Sequence, residues 1–178
     1  MGKIWFTSDT HFGAERTLEL SKRPFCSVEE MDEIIINNWN SVVKENDTVY
    51  HLGDFGDYSI VSRLNGRINL IFGNYERNDN IDIQQLKKYG FNEVYKDSQI
   101  RRLNDLLLVN MSHEPSKAIK SNNEDMFNLF GHIHKLQMVR RYGLNVGMDC
   151  HNFYPIDVDE VMFYKTAIDK FYDEEVFK

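Results

Sequence analysis

The 178-residue chain contains only two cysteines, Cys26 and Cys150, far apart and without a Cys-x-x-Cys pair, which excludes a disulfide framework or a zinc knuckle and points to a reducing compartment. Three prolines, no low-complexity tract and no internal repeat leave nothing that would mark a linker, so one domain over residues 1–178 is expected. No apolar run reaches the length of a membrane span. The segment Met1 to Thr7 enters a strand-like run without a secretory core, and Phe6 stands where a myristoylation signal needs Ser or Thr. These features predict a cytoplasmic protein with no membrane partner. Basic charge is scarce too: 28 acidic residues face 21 basic ones, for a net charge of -7, and Lys/Arg blocks never exceed two residues. An extended nucleic-acid surface is therefore not expected, whereas a small phosphoester or nucleotide substrate is compatible; the oligomeric state is left open.

What is present is an apolar fraction of 42%, with 13% aromatic residues, enough to bury a substantial core. Runs of strand length recur at Ile4 to Thr7, Thr48 to Leu52, Ile68 to Phe72, Leu106 to Met111 and Met126 to Phe130. Between the first two, Ser27 and Glu30 form a capping box, and Val28, Met31, Ile34, Ile35, Trp39, Val42 and Val43 mark one apolar face, predicting a helix over about 28 to 44. A second helix at about 82 to 89 starts at Asp82 and stops at Gly90, and a third follows Asp157 with Glu160 as its capping partner. The stretches Glu93 to Met111 and Leu136 to Val146 read as consecutive strands with turns at Asn104-Asp105 and Tyr142-Gly143. Phe12 to Cys26, carrying Arg16, Lys22, Arg23 and Pro24, reads as an irregular lid or binding loop. The sum is two packed mixed sheets flanked by helices.

Each strand-like run is followed by potential metal ligands: Asp9 and His11, then Asp54, Asn74, His113, and finally His132 with His134. Loops beyond the carboxyl ends of strands in an open α/β sheet share one edge, so these residues can converge. Carboxylate, carboxamide and imidazole suit borderline divalent ions, and seven ligands suit two ions sharing a carboxylate, an arrangement that clamps the attacking and leaving oxygens of a phosphoryl displacement. Gly53, Gly73 and Gly131 precede ligands because the chain must turn sharply there and approach the ions closely.

Asp9-x-His11, Gly53-Asp54-x-x-Asp57, Gly73-Asn74-x-Glu76, His113 and Gly131-His132-x-His134 resemble, in order, the five signature blocks of the calcineurin-like metallophosphoesterases, over roughly residues 3 to 160. Arg23-Pro24-Phe25 and Tyr50 to Phe55 look like the small bacterial and phage-borne members. The resemblance implies a four-layer α/β/β/α sandwich. It also implies two divalent metal ions, manganese first, with iron(II), zinc or nickel compatible. By position, Asp9, His11 and His134 would hold one ion and Asn74, His113 and His132 the other, with Asp54 bridging. A hydroxide between the ions would attack phosphorus in line with the departing alkoxide. The catalytic set implied is Asp54, Asn74, Tyr75 and His113.

One residue departs from the family pattern. Where most members have a histidine after the Gly-Asn pair, thought to protonate the leaving oxygen, this chain has Tyr75. A phenol is a poorer acid than an imidazolium at neutral pH, which favours a phosphodiester or nucleotide substrate over a monoester. Relatives with other residues there include phosphodiesterases with cysteine and a retromer scaffold subunit, so the alternative is a catalytically weak, metal-stabilised binding or scaffold module. A nuclease would need a basic groove, which the scattered Arg16, Lys22, Arg23, Arg101 and Arg102 do not supply. His51 and His151 are read as structural, at most orienting a ligand through a hydrogen bond. Asp57 and Glu76 are read as loop supports. Arg16, Lys22, Arg23 and Lys117 are read as surface charges, with Arg23 the first to test for substrate phosphate.

Overall fold

A computed structural model describes residues 2–104, 107–119, 126–173 and 175. Two five-stranded mixed sheets form its centre. In the first, β1 (Ile4–Thr7), β2 (Thr48–His51), β3 (Arg67–Ile71) and β4 (Glu93–Tyr95) run parallel, and β10 (Ile156–Asp157) pairs antiparallel with β1 to give the order β10-β1-β2-β3-β4. In the second, β6 (Leu107–Met111), β7 (Met126–Phe130) and β9 (Gly143–Asn145) run parallel, with β5 (Gln99–Asn104) and β8 (Val139–Arg140) as antiparallel edges.

Side chains alternate across a strand, so the central strands of a sandwich must be apolar on both faces. β1 shows the division: Trp5 joins the cluster on the outer face of the first sheet, and Phe6 joins the cluster between the sheets. The intersheet cluster combines Phe6, Leu52 and Ile71 with Val109, Met111, Phe127, Leu129 and Leu144. The outer cluster combines Val49, Ile68 and Leu70 with Met31, Ile35 and Trp39 of α2 (Val28–Val42) and Leu86 of α4 (Ile83–Tyr89). Trp39 is fully buried and its indole N–H donates to the Asn65 carbonyl at 2.9 Å, so truncation to Ala would cost about 3–5 kcal/mol. The last helix, α5 (Val158–Phe171), contributes Val161 and Ile168 to the intersheet cluster and packs on β1, β9 and β10 of both sheets. Two mixed sheets flanked by helices, as expected from the sequence, are both present.

Helix ends follow the local chemistry. Ser27 Oγ accepts the Glu30 N–H at 3.2 Å, but Glu30 takes the N–H of Cys26 rather than that of Ser27, so the box is not reciprocal. Asp82 with Gln85, and Asp157 with Glu160, do form reciprocal boxes, and Gly90 ends α4 at a φ of 123°. The observed helices span 28–42, 83–89 and 158–171, close to expectation. The face of α2 differs in one respect: Ile36 is buried, while Ile34 is only half-buried.

The segment read as a loop contains a short helix, α1 (Glu15–Leu20). Its six residues have no side-chain cap and are too few to show a periodic stripe, which is why the sequence concealed it. β4 and β5, read as consecutive, belong to different sheets. The second expected turn falls at Arg141–Tyr142, one residue earlier than read, while Asp105 and Leu106 lie outside the described residues. Among the described residues no helix is long and apolar enough to cross a membrane.

Candidate metal centre

All seven ligands expected from the sequence come together at the carboxyl ends of parallel strands. Asp9 and His11 follow β1, Asp54 follows β2, Asn74 opens α3 (Asn74–Asn78) after β3, His113 follows β6, and His132 and His134 follow β7. They form two groups: ligand atoms of Asp9, His11 and His134 lie within 4.8 Å of one another, and so do those of Asp54, His113 and His132. Asn74 joins the second group, its Oδ1 being 3.0 Å from His113 Nε2 and 3.1 Å from His132 Nδ1. Asp54 lies between the groups, with Oδ2 3.7 Å from His11 Nε2 and Oδ1 3.5 Å from His113 Nε2.

The backbone is bent to achieve this. Asp9, His11, Asp54, His132 and His134 all have φ between 47° and 71°, the left-handed region that costs a non-glycine residue of order 1–3 kcal/mol unless its surroundings over-determine it. Gly131 is required by contact: a Cβ there would overlap Ser8 Oγ and Asp9 Oδ2. The close approach at this glycine is to the side chains of Ser8 and Asp9.

The donor set fits a divalent cation. Asp9 Oδ1 and His11 Nε2 are buried without a hydrogen-bond partner, an arrangement that costs free energy unless something else satisfies them. Burial pushes His11 down to about 3, so its imidazole is neutral and offers a lone pair. Burial also raises Asp54 to about 6, opposed by the charge of His113 and the Tyr75 N–H. Burial pushes Asp9 up, but the electrostatic influence of the neighbouring histidines, His113 first, and the Ser8 hydroxyl together hold its carboxyl below the usual carboxylate range. Because His11 resists protonation, protons satisfy this pocket poorly and a divalent ion satisfies it well.

Supporting residues hold the ligands in place. Glu76, fully buried, accepts the N–H groups of Asp54 at 3.0 Å, Phe55 at 2.9 Å and Gly73 at 2.7 Å, clamping the loops after β2 and β3 together. His113 Nδ1 donates to the Leu52 carbonyl at 2.7 Å. His134 Nδ1 lies 2.8 Å from Asp149 Oδ2 and 3.0 Å from Ser21 Oγ. Asp149 pairs with Arg23 at 2.8 and 3.0 Å, and these partners hold its carboxyl at about 2 against burial.

Arg23 therefore differs from its reading as a surface charge for substrate phosphate: its guanidinium is fully buried and bound to Asp149 and to the carbonyls of Asp9 and Thr10. Asp149 and Ser21 were not foreseen. The nearest signal was Gly147-Met148-Asp149 after the short strand-like stretch Leu144 to Val146, a looser form of the Gly53-Asp54 pattern with one residue between glycine and aspartate. His51 and His151 are structural, facing Thr10 Oγ1 at 3.0 Å and the Asn145 carbonyl at 2.7 Å, and Asp57 caps the turn Tyr58–Arg63. Tyr75 donates its N–H to Asp54 Oδ1 at 2.9 Å, and its ring meets His11 edge-on at 4.6 Å. Arg16 and Lys22 lie at α1, Lys117 pairs with Glu114 at 2.7 Å, and Arg101 and Arg102 are exposed on the edge strand β5.

The chain is similar to several known proteins. An uncharacterized protein of Methanocaldococcus jannaschii is 28% identical over 177 residues, covering 91% of this chain and 90% of that one. The Gene 66 protein of Mycobacterium phage L5 is 36% identical over 85 residues, covering 43% of this chain and 41% of that one. Among solved structures, a protein of unknown function from Aquifex aeolicus aligns with a TM-score of 0.70 at 23% identity, covering 92% of this chain and 99% of that one. The Pseudomonas putida nuclease MPE aligns with a TM-score of 0.44 at 18% identity over 74% of this chain and 60% of that one. The calcineurin-like phosphoesterase superfamily domain matches residues 3–150, and with the metal-ligand groups it brings together, the chain belongs to that superfamily and is a metal-dependent phosphoesterase by family.

Proposed function

We propose that the chain is a binuclear metal-dependent hydrolase of a phosphodiester or nucleotide, acting by in-line attack of water on phosphorus. The observation that carries this reading is the division of the Asp54 carboxylate, one oxygen toward His11 and the other toward His113. Asp9, His11 and His134 would hold one ion, and Asn74, His113 and His132 the other, with Asp54 shared. Two bound divalent ions, with manganese our first choice, supply Lewis acidity: they lower the pKa of a coordinated water and neutralise the non-bridging phosphate oxygens.

The chain's own residues set the geometry and the choice of ester. The buried faces of His11, Asp9 and Asp54 fix the floor of the site, and the half-exposed Tyr75 and exposed His132 stand at its opening. Tyr75 offers only a phenol where an imidazolium would serve a monoester, with its second negative charge and its leaving oxygen in need of a proton. A diester carries one charge fewer and so makes less demand for a cationic partner at this position. We place the protein in the cytoplasm, as one domain taking a small substrate and no membrane partner.

The test is hydrolysis of bis-p-nitrophenyl phosphate beside p-nitrophenyl phosphate by chelator-stripped protein reloaded with manganese. Diester turnover that exceeds monoester turnover supports the reading. Metal-replete protein inert toward both esters would instead favour a metal-stabilised scaffold, the reading that the edge-on packing of Tyr75 over His11 leaves open.

A further inference from the structure

We propose that Asp149, anchored by Arg23, is a positioning residue that fixes His134 as the Nδ1–H tautomer and so sets the affinity of the ion held by Asp9, His11 and His134. The inference rests on the binuclear reading above. An ionised carboxylate can only accept, so the ring nitrogen 2.8 Å from Asp149 Oδ2 must carry the proton. In the neutral ring that metal binding requires, Nε2 is then the nitrogen left without a proton and available to the ion, and the His134 ring stacks on His11 at 5.1 Å and 16°.

The anchoring is specific to one group of ligands. Arg23 donates Nε and Nη2 to the two oxygens of Asp149 at 3.0 and 2.8 Å. Its Nη1 donates to the Thr10 carbonyl at 2.8 Å, and its Nη2 also reaches the Asp9 carbonyl. Those carbonyls belong to the segment in which Asp9 and His11 hold φ of 58° and 52°. One buried cation therefore ties the loop carrying two ligands to the carboxylate that orients the third, and it offsets the charge of that carboxylate in a dry setting. The second group is built otherwise: His113 is oriented by the Leu52 carbonyl, a neutral backbone group that side-chain changes leave in place. Changing Asp149 should thus perturb one ion and spare the other.

The substitution to make is Asp149→Asn. Its carboxamide preserves shape but can offer an N–H to His134 Nδ1, which would drive the ring proton to Nε2, facing the ion. Manganese titration of the chelator-stripped protein by calorimetry, with 15N-histidine spectra of the metal-free protein, reads both consequences, and near-UV circular dichroism reports folding. The expected result is two ions per wild-type chain. In Asp149→Asn, one ion keeps its wild-type affinity, the other weakens by about 10–100-fold, and the His134 proton moves to Nε2. Folded Asp149→Asn that binds both ions with wild-type affinity, or keeps the Nδ1–H tautomer, overturns the proposal. So does loss of both ions together with the near-UV signal, which would make Asp149 and Arg23 a purely structural ion pair. Wild-type protein binding fewer than two ions overturns the binuclear reading itself, and the inference with it.

Discussion

Glu76 and Asp54 are joined through the main chain: Glu76 Oε2 accepts the Asp54 N–H at 3.0 Å, and the same oxygen accepts the Gly73 N–H at 2.7 Å. Two ligand loops from neighbouring strands thus hang on one buried carboxylate. Glu76→Gln keeps the shape but turns an N–H toward backbone donors, leaving at least one of them unsatisfied. The expected cost is about 2–4 kcal/mol in urea unfolding of the metal-free protein, and a loss below about 1 kcal/mol would show that water replaces the clamp.

Asp54→Ala removes the carboxylate that faces both histidine groups. Changes to residues that merely orient ligands cost 10–100-fold, so loss of a shared ligand should lower diester hydrolysis by more than about 100-fold. Residual turnover above about a tenth of wild type at saturating manganese would contradict the shared-ligand role.

Tyr75→His restores an imidazole beside His11. Monoester hydrolysis should rise by about 10-fold or more, since a placed general acid contributes roughly 100-fold or more when well aligned. An unchanged ratio of diester to monoester rates would remove Tyr75 as the selector.

Gly131→Ala places a methyl group against Asp9 Oδ2 and Ser8 Oγ. Asp9 is fully buried with little room to shift, so manganese content measured after dialysis should fall by at least one ion per chain. Full metal content in the variant would show that the loop gives way.

Metal-free protein should be less stable at pH 5 than at pH 7. Burial holds both His11 and His51 at about 3, far below the ordinary 6.5. Below pH 6.5 the unfolded chain takes up protons that the folded chain refuses, so stability falls toward pH 3, by about 2 kcal/mol per histidine between pH 7 and 5. Asp54 acts in the opposite sense: raised to about 6, it binds a proton in the folded state first and returns about 1 kcal/mol. Thermal melts should show the net loss as a lower midpoint at pH 5, and a higher midpoint there would reverse the assignment.

The fold was legible where periodicity is long or capping chemistry is local. The apolar stripe of α2 and the boxes at Asp82 and Asp157 each lie within one short window, so they could be read without partners. α1 was hidden because six residues carry no repeat, and the split of β4 and β5 between sheets was hidden because both look alike until a second sheet competes for them. Arg23 illustrates the same limit at the site: an arginine beside a proline in a polar stretch reads as surface, and only the carboxylate of Asp149, 126 positions away, makes its burial possible.

The sequence by itself pointed to seven candidate ligands and the strands they follow, because residue type fixes ligand chemistry and the apolar runs mark where each strand lies. Only the tertiary structure decided how those ligands divide into two groups about Asp54, which buried carboxylates clamp or orient them, and that Tyr75 stands edge-on to His11. Those relations join residues from separate strands and loops, and they exist only once two sheets have brought the loop ends within hydrogen-bonding distance.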